Sequence, residues 1–251
     1  MDEVFWVVAI GAVVAGFVQG LSGFAFSLVA MSFWAWALEP RVAAALAVFG
    51  ALTGQLLAVA SVRRGFDWRV LLPFVLGGFA GIPLGVALLP RIDMAMFKAI
   101  LGTLLVLWCP AMLMAKRLPR IRKGGRVADG VVGLAGGVMG GLGGFTGALP
   151  TLWCTMRGYE KDQQRAVIQN FNLSMLLVTM ATYLGTGAVT RDMLLLFAIV
   201  APAMLVPTLL GTRLYVGLSE ATFRQVVLGL LTVSGLAMLL SAVPRLLQKS
   251  F

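Results

Sequence analysis

The sequence predicts an all-α polytopic membrane protein: about eight hydrophobic segments in two homologous halves, the first segment of each half glycine-broken or re-entrant. Three observations predict it. Hydrophobic residues make up 60% of the 251 positions and charged residues only 12%, with a mean hydropathy of +0.95. The apolar residues fall into long uncharged runs of bilayer-spanning length. A glycine-rich motif also occurs twice, at matching places in two overlong runs.

Charges and turn formers divide the chain into runs at about 4–38, 42–62, 70–90, 94–115, 127–156, 166–189, 193–217 and 225–243. Most have the length of one helix crossing a hydrocarbon core about 30 Å thick. The first and fifth are too long. Val4 to Leu38 as one straight helix would extend about 50 Å at 1.5 Å per residue, and Val127 to Met156 is similarly overlong. Each has a glycine-rich interruption: Gln19-Gly20-Leu21-Ser22-Gly23-Phe24 in the first and Gly140-Gly141-Leu142-Gly143-Gly144-Phe145 in the fifth. Clustered glycines weaken a helix by about 1 kcal/mol each relative to alanine. They mark a break here, with close packing through small residues as the competing explanation. The N-terminal Met1-Asp2-Glu3 lacks the positive start of a secretory signal, so the first run is expected to remain in the mature protein.

The match between halves continues beyond the break. Glu39 of Glu39-Pro40-Arg41 falls on Glu160 of Glu160-Lys161-Asp162, and Phe97-Lys98 with Leu101-Gly102 resembles Phe223-Arg224 with Leu228-Gly229. The expected organisation is a first transmembrane repeat at 1–115, a basic cytoplasmic linker at 116–126 and a second repeat at 127–251. Charge leaves two topologies. Eight single crossings give parallel halves with twelve basic residues inside and eight outside. Re-entrant first segments give inverted halves with fourteen inside, six outside and the N-terminus outside, and the positive-inside rule leans this way.

The net charge of +10 is read as loop charge that sets orientation, not as a nucleic-acid footprint. With no His, imidazole metal ligation and His-based acid–base chemistry are excluded. Cys109 and Cys154 lie far apart inside apolar runs, so no disulfide, metal or cofactor is expected. No paired carboxylates or serine–base pair lies within the spans, so the chain does not read as an enzyme.

Broken backbone inside a bilayer is tolerated only where protein or a water-filled cavity covers it. Helices that restart after a break present free N–H groups and a positive dipole end, a setting that suits an anion. The expected substrate-binding residues at the breaks are Gln19, Gly20, Ser22, Gly23 and Ser27, with Gly143, Gly144, Thr146 and Gly147. A second polar group follows each break: Thr53 and Gln55 in the first half, and Gln169, Asn170, Asn172 and Ser174 in the second, with Arg165 as the candidate cationic partner. For each amide, substrate contact and plain interhelical hydrogen bonding weigh about equally. Glu39 and Glu160 are the first candidates for proton coupling through a carboxylate.

At these residues the sequence resembles the sulfite exporter TauE/SafE family of membrane permeases. The resemblance rests on the glycine break in each half and on the charged turn into an Ala-rich helix, Glu39-Pro40-Arg41-Val42-Ala43-Ala44. The second half keeps the family's glycine run and later proline as Gly143-Gly144-Phe145-Thr146-Gly147 and Pro150, whereas the first half has Phe24-Ala25-Phe26 and no proline. The resemblance implies a permease of the cytoplasmic (inner) membrane that moves a small sulfur oxyanion or organosulfonate. The lipid bilayer is its setting, nucleic acid is not a partner, and a homo-oligomer is compatible with the reading. An anion channel and a non-transporting membrane assembly partner are the alternatives.

Overall fold

The computed structural model describes residues 2–61, 67–115, 120–121, 124–214 and 220–249. Ten α-helices occur among them: α1 (Asp2–Ser22), α2 (Phe26–Trp34), α3 (Pro40–Ser61), α4 (Trp68–Leu88), α5 (Met94–Leu113), α6 (Gly125–Gly143), α7 (Ala148–Arg157), α8 (Lys161–Gly185), α9 (Met193–Leu214) and α10 (Glu220–Lys249). Seven are long and apolar enough to cross a membrane: α1, α3, α4, α5, α8, α9 and α10. The sequence led us to expect about eight crossing or re-entrant segments. The difference lies in α6, where eight glycines, Arg126 and Asp129 dilute the apolar character.

Both overlong runs are broken where the glycines cluster. Gly23 has φ +80° and Gly144 φ +77°, the left-handed region that a side chain disfavours. After Gly23 the chain reverses: the Phe26 N–H donates to Gln19 Oε1 over 3.0 Å, and Gly11 lies against the Trp34 indole. Helices α1 and α2 therefore form an antiparallel hairpin. Helices α6 and α7 form a second one, closed by Trp153 Nε1–H donating to Asp129 Oδ1 over 2.7 Å. At Gly158 (φ +70°) the chain leaves α7 and turns toward α8.

Close contacts fix how the helices run. Gly77, Gly81 and Gly85 of α4 meet Gly130, Leu134 and Val138 of α6 in order, so these two helices are parallel. Gly16 and Gly20 of α1 meet Met204 and Thr208 of α9 in order, which makes that pair parallel as well. Small residues let these backbones touch, and dispersion and packing are what associate helices in lipid. Since α3, α4 and α5 cross alternately, the two hairpins enter from opposite ends of the bundle. The first opens toward the end that carries both chain termini, the second toward the linker end.

Segment ends differ from the sequence reading in one systematic way. Helix α8 begins at Lys161, not near 166, and α10 extends from Glu220 to Lys249, well past the apolar run 225–243. Charges mark the edge of the hydrocarbon, whereas backbone hydrogen bonding carries a helix on into the interfacial layer. The outer surface is apolar, with Leu107, Leu195 and Leu240 among its most exposed side chains. Amides and hydroxyls are instead gathered inside.

Candidate functional site

The tips of the two hairpins meet within the bundle. The tip of the first is held by amides. The Gly23 carbonyl accepts from Gln55 Nε2 of α3 at 2.6 Å and from Gln19 Nε2 at 3.5 Å. The Ser22 hydroxyl oxygen, at the exposed side, accepts the Ala25 N–H at 3.2 Å and so tightens the turn. Ser27, in the first turn of α2, is buried and donates to the Ala47 carbonyl of α3 at 3.3 Å.

The second tip is held from α8. Thr146 Oγ1 donates to Asn172 Oδ1 at 2.9 Å, with both residues almost fully buried. Asn172 also lies against Gly147, where a Cβ would come within 2.8 Å of its amide nitrogen. Trp108 of α5 donates from Nε1 to the Ala148 carbonyl at 2.7 Å and packs edge-on against Phe24 of the first tip. Tyr183 donates to the Gly141 carbonyl at 2.7 Å.

The tips also contact each other's surroundings. A Cβ on Gly144 would sit 2.7 Å from Ser27 Oγ and 3.3 Å from a Val48 methyl, so the second tip presses on α2 and α3. A Cβ on Gly23 would find Gln169 Nε2 of α8 at 3.7 Å. The structure thus gathers Gln19, Ser22, Gly23, Ser27, Gln55, Gly143, Gly144, Thr146, Gly147, Gln169 and Asn172 around the two tips. The segments 19–27 and 140–148 contain neither an acid nor a base. What they offer is hydroxyls, amides and the N-terminal ends of α2 and α7, where the first N–H groups lack intrahelical acceptors.

The remaining expected residues make other contacts. Gly20 belongs to the α1–α9 contact, where a Cβ would collide with the Thr208 carbonyl. Thr53, Asn170 and Ser174 each make a hydrogen bond along their own helix, to the Phe49, Ala166 and Asn170 carbonyls respectively. Arg165 is exposed near the start of α8, and Glu39 and Glu160 are exposed in the turns that precede α3 and α8. A cavity of about 330 Å³, bordered by Arg41, Pro90, Thr182 and Gly187, opens at the end bearing the termini.

Two buried residues, one near the tips and one at the open end of the second hairpin, were not singled out from the sequence. Thr179 is fully buried, stands 3.6 Å from where a Gly140 Cβ would be, and its hydroxyl has no hydrogen-bond partner among the described residues. Its place two helical turns beyond Asn172, on the same face of α8, was a usable signal. A threonine in a membrane helix ordinarily bonds its own i−4 carbonyl, which hides it from a sequence reading. Asp129 was read as a segment-end acid but is buried between α6 and α7 beside Trp153. Burial, with the Asp129 charge adding to it, raises the pKa of the nearby Tyr159 phenol above its ordinary value.

A family model described as sulfite exporter TauE/SafE matches residues 8–238. The chain belongs to the TauE/SafE family. Membership makes it a multi-pass membrane transporter of sulfur anions, as the resemblance implied. No curated protein and no solved structure shows a significant match. For a TauE/SafE protein the uncharged but donor-rich character of the tips is apt: hydrogen-bond donors and helix N-termini can hold an oxyanion without a fixed counter-charge.

Proposed function

We propose that this TauE/SafE protein carries sulfite or a small organosulfonate across the cytoplasmic membrane, through a site formed where the two hairpin tips meet. One observation carries the reading: each glycine tip abuts a helix from the other side of the linker. Gly23 faces Gln169, and Gly144 faces Val48 and Ser27. Val48 follows Gly23 by the same interval as Gln169 follows Gly144. The reciprocal α1–α9 and α4–α6 contacts, with hairpins entering from opposite ends, support two inverted repeats, 1–115 and 127–251, joined by a cytoplasmic linker at 116–126. Inverted repeats around a midplane site are the usual basis of alternating access.

In this mechanism the oxyanion sits between the N-termini of α2 and α7. Ser27, Thr146 and Thr179 supply hydroxyl donors, and Gln19, Gln55, Gln169 and Asn172 supply amides. Gly23, Gly144 and Gly147 let the anion approach the backbone. Arg165, exposed on α8, draws anions toward the linker end, and exchange of internal hydrogen bonds for bonds to the substrate offsets the anion's desolvation.

Sulfite flux into proteoliposomes tests the proposal, with Asn172→Ala and Thr146→Val as the variants. Each removes one side of a buried 2.9 Å hydrogen bond. Leaving one partner of a buried bond unsatisfied costs about 1–3 kcal/mol of stability, so the unfolding midpoint of each variant checks its folding while saturable flux and counterflow should fall at least about tenfold. Wild-type flux in both variants refutes the tip site. Conductance linear in sulfite concentration favours the channel alternative.

A further inference from the structure

A pair of basic residues lies away from the uncharged hairpin tips. Lys98 is the fifth residue of α5 and only 7% exposed. A lysine near the end of a membrane helix normally snorkels, keeping its ammonium in water. This one does not. Its Nζ lies 4.1 Å from the centre of the Trp36 ring, in the turn between α2 and α3. Helix α10 packs antiparallel to α5, with Gly102 against Gly235 and Leu239. That register brings the end of α10, with the exposed Arg245, to the same end of the bundle as Lys98, where the two like charges repel. Among the described residues no carboxylate forms an ion pair with Lys98.

Two neighbouring cations, one of them buried, repel each other more strongly as the local dielectric falls. An intramembrane ionisable group held this way marks a functional site by default. A compact anion between the two would satisfy both, since the ammonium carries three donors and the guanidinium a planar fork. We propose that Lys98 and Arg245, with Trp36 beneath the ammonium, form an anion-holding site at the termini end of the bundle, through which a small sulfur oxyanion passes on its way to or from the tips. This deepens the proposed function and rests on it. Arg224, which matches Lys98 in the sequence comparison of the halves, is likewise the fifth residue of its helix, α10.

The test uses the full chain in lipid nanodiscs, with sodium sulfite as the probe and equilibrium binding read by titration calorimetry. Lys98→Gln should weaken sulfite binding about tenfold, the usual scale for losing a charged hydrogen-bond donor, and Lys98→Arg should restore it to within about threefold of wild type. Rising ionic strength should weaken binding to wild type more steeply than to Lys98→Gln. Lys98→Met, which keeps the apolar stem, should melt near the wild-type temperature and bind as poorly as Lys98→Gln. Sulfite binding that depends on Asn172 but is unchanged in affinity and salt dependence by Lys98→Gln overturns this inference alone. Wild-type protein that binds neither sulfite nor a small alkanesulfonate overturns the proposed function together with it.

Discussion

The two positive-φ glycines at the hairpin tips form a matched pair in which backbone strain and steric crowding can be separated. Placing an L residue in the left-handed region costs about 1–2 kcal/mol. Gly23→Ala and Gly144→Ala both incur this cost, since φ is +80° at one and +77° at the other. Both also stiffen the unfolded chain by a similar amount, about 0.4–1 kcal/mol, which cancels between them. They differ in space. At Gly23 the nearest atom to a new Cβ is Gln169 Nε2 at 3.7 Å, an ordinary contact at the end of a flexible side chain. At Gly144 the new methyl meets Ser27 Oγ at 2.7 Å and a Val48 methyl at 3.3 Å, and both neighbours are buried and packed. Overpacking of that kind costs about 1–3 kcal/mol. Gly144→Ala should therefore destabilise the protein by about 1–3 kcal/mol more than Gly23→Ala. Reversible unfolding in mixed micelles with increasing denaturing detergent, followed by tryptophan fluorescence, measures both. Equal losses, or a larger loss at Gly23, would refute the contact between the second tip and α2–α3 on which the proposed site depends.

The inverted topology predicts that single cysteines placed at positions 2 and 250, with Cys109 and Cys154 replaced, react with an impermeant maleimide from the non-cytoplasmic side. Labelling only from the cytoplasm refutes it. Trp153→Phe removes the 2.7 Å bond to the buried Asp129 carboxyl group. The second hairpin should lose about 1–3 kcal/mol, read in the same unfolding assay. A wild-type unfolding curve would show that Asp129 does not need this donor.

Much of the architecture could be read from the chain because bilayer physics acts on composition. Apolar runs of spanning length reported helices, and runs too long to be one crossing reported breaks at Gly23 and Gly144. Glycine itself was ambiguous. The same residue type breaks the helix at Gly23 and packs α1 onto α9 at Gly20, and sequence spacing does not separate a positive φ from a close backbone approach. The polar candidates divided in a similar way. Asn172 reaches across to Thr146, whereas Asn170 and Ser174, on the same helix, turn back to their own backbone. Which occurs depends on the face that α8 presents to the second hairpin.

The sequence by itself determined that this is a helical membrane protein of the TauE/SafE family, with a basic central linker and two glycine-broken segments. Those properties follow from local chemistry: hydrocarbon demands apolar, internally hydrogen-bonded helices, and glycine clusters break them. Only the tertiary structure decided that the breaks reverse the chain and that each tip meets helices from across the linker. The burial of Thr179 and Lys98 also emerged only there. These facts depend on helix rotation and depth, which are fixed by packing between segments more than a hundred residues apart. No local pattern encodes them.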